Sequence, residues 1–173
     1  CAIRMDDMVQ CWGDNQFEQG TVPDDLGLVK AVSAGRWHTC AIKRDDTVQC
    51  WGRERIVPAD LGHVKAVSAG LDHTCAIKMN DEVQCWGQND RGQATEPTRY
   101  KQRIKVTAVS AGEFHTCAIK TGYLQCWGDD SQGQTTIPGR FMAVKAVSAG
   151  AFHTCAIKRY DDMVQCWGDN SGG

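Results

Sequence analysis

The chain has 173 residues, 42% of them hydrophobic and 23% charged, which excludes a disordered chain and a fibre. Lys and Arg total 19 against 21 for Asp and Glu, so the net charge is -2 and the basic excess of a nucleic-acid binder is missing. No apolar run approaches the length of a bilayer span, so no membrane insertion is expected, and ten cysteines point to disulfides or metal.

The chain opens on Cys1 without a signal-peptide pattern and reads as a mature or partial chain. Its organisation is repetitive. The first module, about 1–29, carries Cys-Ala-Ile at 1–3 and Gln-Cys-Trp-Gly at 10–13. The second, 30–64, has Val-Ser-Ala-Gly at 32–35, His-Thr at 38–39, Cys-Ala-Ile at 40–42 and Gln-Cys-Trp-Gly at 49–52. In the third, 65–105, the same landmarks begin at Val67, His73, Cys75 and Gln84. The fourth, 106–144, has them at Val109, His115, Cys117 and Gln125, and the fifth, 145–173, at Val147, His153, Cys155 and Gln165. Successive Cys-Ala-Ile cysteines are 39, 35, 42 and 38 residues apart.

Each module reads as four short strands: Lys-Ala-Val-Ser-Ala, His-Thr-Cys-Ala-Ile-Lys, Val-Gln-Cys-Trp and a weak segment such as Thr-Val-Pro at 21–23. Pro23, Pro58, Pro97 and Pro138 suit an outer edge, because proline cannot donate to a ladder. Four-stranded modules of this length describe propeller blades, so an all-β fold is expected: one β-propeller domain of five repeats with four antiparallel strands per blade.

Ser-Ala-Gly-x-x-His-Thr, a hairpin, Trp-Gly-x-Asn and the Gly-Gln pairs at 92–93 and 133–134 resemble the repeat of the regulator of chromosome condensation family. The likeness covers essentially the whole chain. It implies a propeller, commonly seven-bladed. It does not imply one function, because such propellers serve as nucleotide exchange factors, a plant ultraviolet photoreceptor, β-lactamase inhibitors and receptor ectodomains. This chain supplies five hairpins, so a five-bladed ring from an incomplete chain is expected, with a fragment of a larger propeller as the alternative. The photoreceptor needs clustered tryptophans before His-Thr, where only Trp37 is found; Asp72, Phe114 and Phe152 stand at the other positions.

The cysteines of each module are 10, 10, 10, 9 and 11 residues apart. Turn length changes from module to module, yet the two cysteines stay symmetric about the turn. Opposed residues of a hairpin have Cβ atoms about 5 Å apart, within reach of a disulfide after a small adjustment. Five bonds are therefore expected: Cys1–Cys11, Cys40–Cys50, Cys75–Cys85, Cys117–Cys126 and Cys155–Cys166, one per blade. They imply an oxidising compartment, hence a secreted or extracellular protein. The rival is metal: His38, Cys40 and Cys50 share a face, as do the matching triads, and could hold zinc. The repeated histidines otherwise read as structural hydrogen bonds inside each blade.

No phosphate-cradling loop, nucleophile elbow or unrepeated titratable cluster is present, so no enzyme and no cofactor are expected. Trp12, Trp51, Trp86, Trp127 and Trp167 recur with the fold and read as packing between blades. Ligand contacts should come from loops. One rim carries Trp37, Asp72, Phe114 and Phe152, with Asp14, Asn15, Arg53, Glu54, Asn89, Asp129 and Asn170 beside them. Aromatic faces beside carboxylates and amides suit sugars. A non-catalytic lectin binding a glycan or cell-surface glycoprotein is the favoured reading. The alternative is a protein-binding propeller using an unrepeated patch, such as Arg53, Glu54 and Arg55 or Arg99, Tyr100 and Lys101. A metal-binding structural protein is a weaker third.

Overall fold

Short β-branched runs broken by Gly and by Asp-rich turns cannot build helices, and none is present among the described residues. The computed structural model describes residues 1–53, 55–97, 105–139 and 143–171. Glu54 and the patch of Arg99, Tyr100 and Lys101 lie outside the described residues. The strands are β1 (Ala2–Ile3), β2 (Val9–Gln10), β3 (Val29–Ala34), β4 (His38–Lys43), β5 (Val48–Gly52), β6 (Val64–Ala69), β7 (His73–Lys78) and β8 (Val83–Gly87). They continue with β9 (Val106–Ala111), β10 (His115–Lys120), β11 (Tyr123–Gly128), β12 (Val144–Ala149), β13 (His153–Lys158) and β14 (Val164–Gly168).

One two-stranded sheet, β1-β2, is followed by four antiparallel three-stranded sheets, β3-β4-β5, β6-β7-β8, β9-β10-β11 and β12-β13-β14. The segments expected as fourth strands carry no strand among the described residues. Their side chains are used locally instead: Asn15 Nδ2 donates to Thr21 Oγ1 at 2.9 Å, and Asn89 Nδ2 to Thr95 Oγ1 at 2.7 Å. These two outer segments are thereby tied into compact loops.

All five expected disulfides are present, with Cα atoms 3.9 to 4.1 Å apart. In the last four sheets the paired cysteines are register partners, as in Cys40↔Cys50 and Cys117↔Cys126. The hairpin turns bend through left-handed residues at Asp7, Asp46, Asp81 and Asp162, a conformation short Asp side chains tolerate. No cysteine is free, so the thiolates that a zinc site would need are consumed.

Period-two alternation sets the packing. In β4, His38, Cys40 and Ile42 face the next sheet, and Thr39 and Ala41 face the previous one. Ala41 and Trp51 thus join a core with Leu26, Ile3, Val9 and Cys11, while Ile42 joins one with Val64, Ala76 and Trp86. The same rule places Trp127 against the third sheet and Trp167 against the fourth. Each such indole contributes roughly 2 to 3 kcal/mol of burial. Trp12 departs from the expected packing role and is 70% exposed.

The sheets pack in sequence, β1 on β3, β3 on β6, β6 on β9 and β9 on β12. Outer-face coverage stops there. His38, His73 and His115 are fully buried, whereas His153 in the same position of the last sheet is exposed. The described residues therefore form a run of blades whose end faces are open, not the five-bladed ring expected from the repeat count.

Candidate functional site

The rim loops stand on a hydrogen-bonded seam between sheets, and both come from the repeated residues. His38 Nε2 meets Thr74 Oγ1 of the next sheet at 2.7 Å; His73 meets Thr116 at 2.9 Å and His115 meets Thr154 at 2.8 Å. The histidines thus bridge blades, where a bond inside each blade was expected. Thr116 and Thr154 donate their hydroxyl protons to the carbonyls of Gln93 and Gln134, both at 2.9 Å. The His73 and His115 Nε2 atoms must therefore be the donors, which leaves Nδ1 unprotonated and without a partner, facing backbone.

Burial pushes the His73 ring down to about 4, and repulsion from His38 and His115 adds to it. Burial also takes His115 down to about 4, aided by His153 and opposed by Asp129 and Asp130. His38 is lowered by burial against the pull of Asp72. These rings are neutral structural bridges at pH 7.

The glutamine loops were legible only in part. Gln19, Gln93 and Gln134 are buried, and each side-chain Oε1 accepts the N–H two residues back, from Phe17, Arg91 and Gln132. Their main-chain carbonyls reach into the next sheet, to Thr39, Thr116 and Thr154, and also to the Trp127 and Trp167 indoles. Each loop is a strap across a seam. The sequence signal was available in the Trp-Gly-to-proline spacing. In the first strap, Glu18 occupies the left-handed position held by Gly92 and Gly133 in the others, which hides the match to Gly-Gln.

On the rim above, Trp37 meets the edge of Phe17 at 5.1 Å, and the Arg36 guanidinium lies 4.7 Å over the indole. Arg53 lies 5.7 Å over Phe17. Phe114 and Phe152 stack at 6.0 Å. The expected aromatic residues thus come together in two groups, each ring facing a protein neighbour. Asp72 sits beneath Arg53, with Oδ2 at 3.8 Å. Asp129 accepts from Arg91, Ser131 and the Gln134 strap. Asp14 accepts from Gln16 N and Gln19 Nε2. Asn15 and Asn89 spend both amide atoms inside their loops, since their Oδ1 atoms accept from Gly20 N and Ala94 N. Asn170 is exposed beside Phe152 on the open face of the last sheet.

Three arginines therefore stand half-exposed on one rim. Each stands over a mostly buried carboxylate: Glu113 anchors Arg36 at 3.0 Å and Asp129 anchors Arg91 at 3.3 Å, while Asp72 holds Arg53 only loosely. The hub end of this rim is a small cavity walled by the Ala-Gly pairs at 34–35, 69–70, 111–112 and 149–150. No set of three or more metal-ligating side chains occurs among the described residues.

The pattern described as the regulator of chromosome condensation (RCC1) repeat matches residues 29–55, 64–93, 106–134 and 144–173, more than half of the chain. No curated protein matches it. Among solved structures, it resembles the crinkly WD40 ectodomain of the Arabidopsis thaliana receptor kinase ACR4, at 30% identity and a TM-score of 0.77, over 97% of this chain and 64% of that one. It also resembles the whole ectodomain of the Physcomitrella patens receptor kinase CR4, at 24% identity and a TM-score of 0.74, over 94% of this chain and 47% of that one. Prp20p of Saccharomyces cerevisiae, whose structure was described with its binding to Gsp1p and histones, matches at 18% identity and a TM-score of 0.69, over 86% of this chain and 46% of that one. The chain spans less than two thirds of each of these structures.

Proposed function

The chain belongs to the RCC1 repeat family, and from that premise we propose that it is a non-catalytic, extracellular recognition module whose arginine-and-aromatic rim binds a protein partner. The observation that carries the reading is the grouping of Arg36, Arg53, Phe17 and Trp37, with both guanidinium groups half-exposed. Arg and Trp are the residues that dominate protein-binding hot spots, and an arginine held by a buried carboxylate is preorganised. A disulfide in every repeat and the likeness to a receptor-kinase ectodomain support an extracellular setting.

Carbohydrate binding is the second reading, and the aromatic residues at Trp37, Phe114 and Phe152 are its support. Their ring neighbours weigh against it, because Arg36 takes one face of Trp37 and Phe114 and Phe152 take one face of each other, which leaves a sugar less aromatic surface to stack on.

A photo-crosslinking residue placed at Phe17, and separately at Tyr160 on the opposite rim, tests the proposal in the protein's own extracellular setting. A polypeptide adduct from position 17 alone, lost with Arg36→Ala and Arg53→Ala, is the expected result. Binding to a glycan array that disappears with Trp37→Ala, and no polypeptide adduct, would establish the lectin instead.

A further inference from the structure

Among the described residues, one seam lacks its strap. From the glycine of Trp-Gly to the following proline, the first, third and fourth connections run from Gly13 to Pro23, Gly87 to Pro97 and Gly128 to Pro138. The second runs only from Gly52 to Pro58, four residues shorter. The residues removed are those that elsewhere carry the buried glutamine and its carbonyl.

The next sheet still presents the groups that this carbonyl would serve. Thr74 and Trp86 are register partners, as Thr116 and Trp127 are in the following sheet. There, one glutamine carbonyl accepts from both Thr116 and Trp127, at 2.9 Å each. At the shortened connection the Trp86 Nε1 atom is buried and has no partner among the described residues. Asp72 lies on the same side, its carbonyl accepting from Gln88 N at 2.7 Å. Its carboxylate occupies a position that carries an aromatic ring in the other three-stranded sheets. Asp72 is only 9% exposed, and its Oδ1 is buried without a partner. Arg53 reaches only the other oxygen, and loosely, at 3.8 Å.

Other unpartnered atoms do not point to a ligand. Gln88 Oε1 and Gln93 Nε2 are an acceptor and a donor at the two ends of one loop. Trp51 Nε1 is unpartnered too, but its seam has a strap, since Thr39 donates to the Gln19 carbonyl at 2.8 Å. Among the described residues, only the seam between the second and third sheets combines a missing strap with a buried donor and a buried carboxylate oxygen. A buried donor and a buried acceptor left unpaired on one seam are costly, and a peptide segment offers a partner of each kind.

We propose that this seam binds an extended polypeptide segment of a partner protein, which replaces the missing strap. A carbonyl of that segment accepts from Trp86 Nε1 and Thr74 Oγ1, while an amide or ammonium group next to it donates to Asp72 Oδ1. Arg53 swings from Asp72 as the segment enters. The site lies beside the Arg36, Arg53 and Trp37 group and rests on the protein-recognition reading; it adds the register and polarity of what is bound.

The probe is a blocked ten-residue peptide with the sequence of residues 129–138, titrated into the oxidised, nitrogen-15-labelled protein. A saturable shift of the Trp86 indole N–H resonance is expected, with Trp127 and Trp167 unmoved. Asp72→Ala should weaken this binding at least tenfold, and Asp169→Ala should leave it unchanged. A second variant replaces residues 53–55 with residues 129–135, restoring the four missing positions. It should lose peptide binding and melt at a higher temperature. A Trp86 resonance that stays still at millimolar peptide, or binding undiminished in the restored-strap variant, overturns the proposal and leaves water as the occupant. The titration reads the seam alone, so its failure beside intact crosslinking at position 17 removes the strap site and spares the recognition reading.

Discussion

Mild acid should open the seams while every disulfide stays intact. His73 and His115 sit at about 4 when folded, against 6.5 for an exposed ring. Their folded values lie below the unfolded ones, so the unfolded chain takes up protons first. Their contribution is complete above about pH 6.5 and drains away as the pH falls from there to about 4. A difference of this size corresponds to roughly 3 kcal/mol per ring. Repulsion between the charged rings adds to this, so charging both in the fold costs more than charging each alone. Asp130 titrates outside this window: burial opposes its ionisation, yet hydrogen bonds from Thr136 and Thr135 hold it below the usual carboxylate range. Urea unfolding of the oxidised protein, followed by tryptophan fluorescence at half-unit steps from pH 7.5 to 4.5, measures the effect. The double variant His73→Gln, His115→Gln retains an N–H donor toward Thr116 and Thr154 and cannot titrate at those positions, so its stability should fall much less steeply than the wild type's over the same range, the remaining slope coming from His38. A wild-type midpoint that does not move, or a variant that loses stability as steeply as the wild type, would refute the seam argument.

Three further outcomes follow from the geometry. Glu18 has φ 63° where the equivalent strap residues, Gly92 and Gly133, have φ 77°; Glu18→Gly should raise stability by up to about 1 kcal/mol in thermal unfolding. A Cβ at Gly70 would lie 2.3 Å from the Gly112 carbonyl oxygen and 2.5 Å from His73 Cε1; Gly70→Ala should therefore destabilise by at least about 2 kcal/mol, read by the same melt. The Cys75–Cys85 bond closes a loop with a separation of 10 residues, and Cys75 is completely buried. Cys75→Ala with Cys85→Ala should cost about 2 to 3 kcal/mol, and mass spectrometry after brief reduction should find Cys155–Cys166, on the open end face, reduced before it.

What the sequence revealed and what it hid divide along the range of the interaction. Cys117 and Cys126 could be paired on paper because hairpin register is local: the turn fixes which residues oppose each other, and the 9-residue separation fits it. The alternation in His-Thr-Cys-Ala-Ile-Lys likewise predicts which side chains leave each face of the strand. It does not say what lies opposite that face. The partner of His38 is Thr74, 36 positions away, because blade-to-blade register comes from packing rather than from any turn. The repeat alone suggests an internal brace, whereas the histidine's hydrogen bond crosses the seam. The rim contacts are hidden for a related reason: that Arg36 lies over the Trp37 indole and Phe114 stacks on Phe152 is visible only once the loops are assembled. The most informative sequence feature was a departure from the repeat. Where the proline follows the glycine by ten positions in three connections and by six in one, the short one removes a carbonyl but leaves behind the threonine and tryptophan that answer it elsewhere. In a repeat protein, residues that persist after their partner has been deleted mark the place where another molecule can substitute for it.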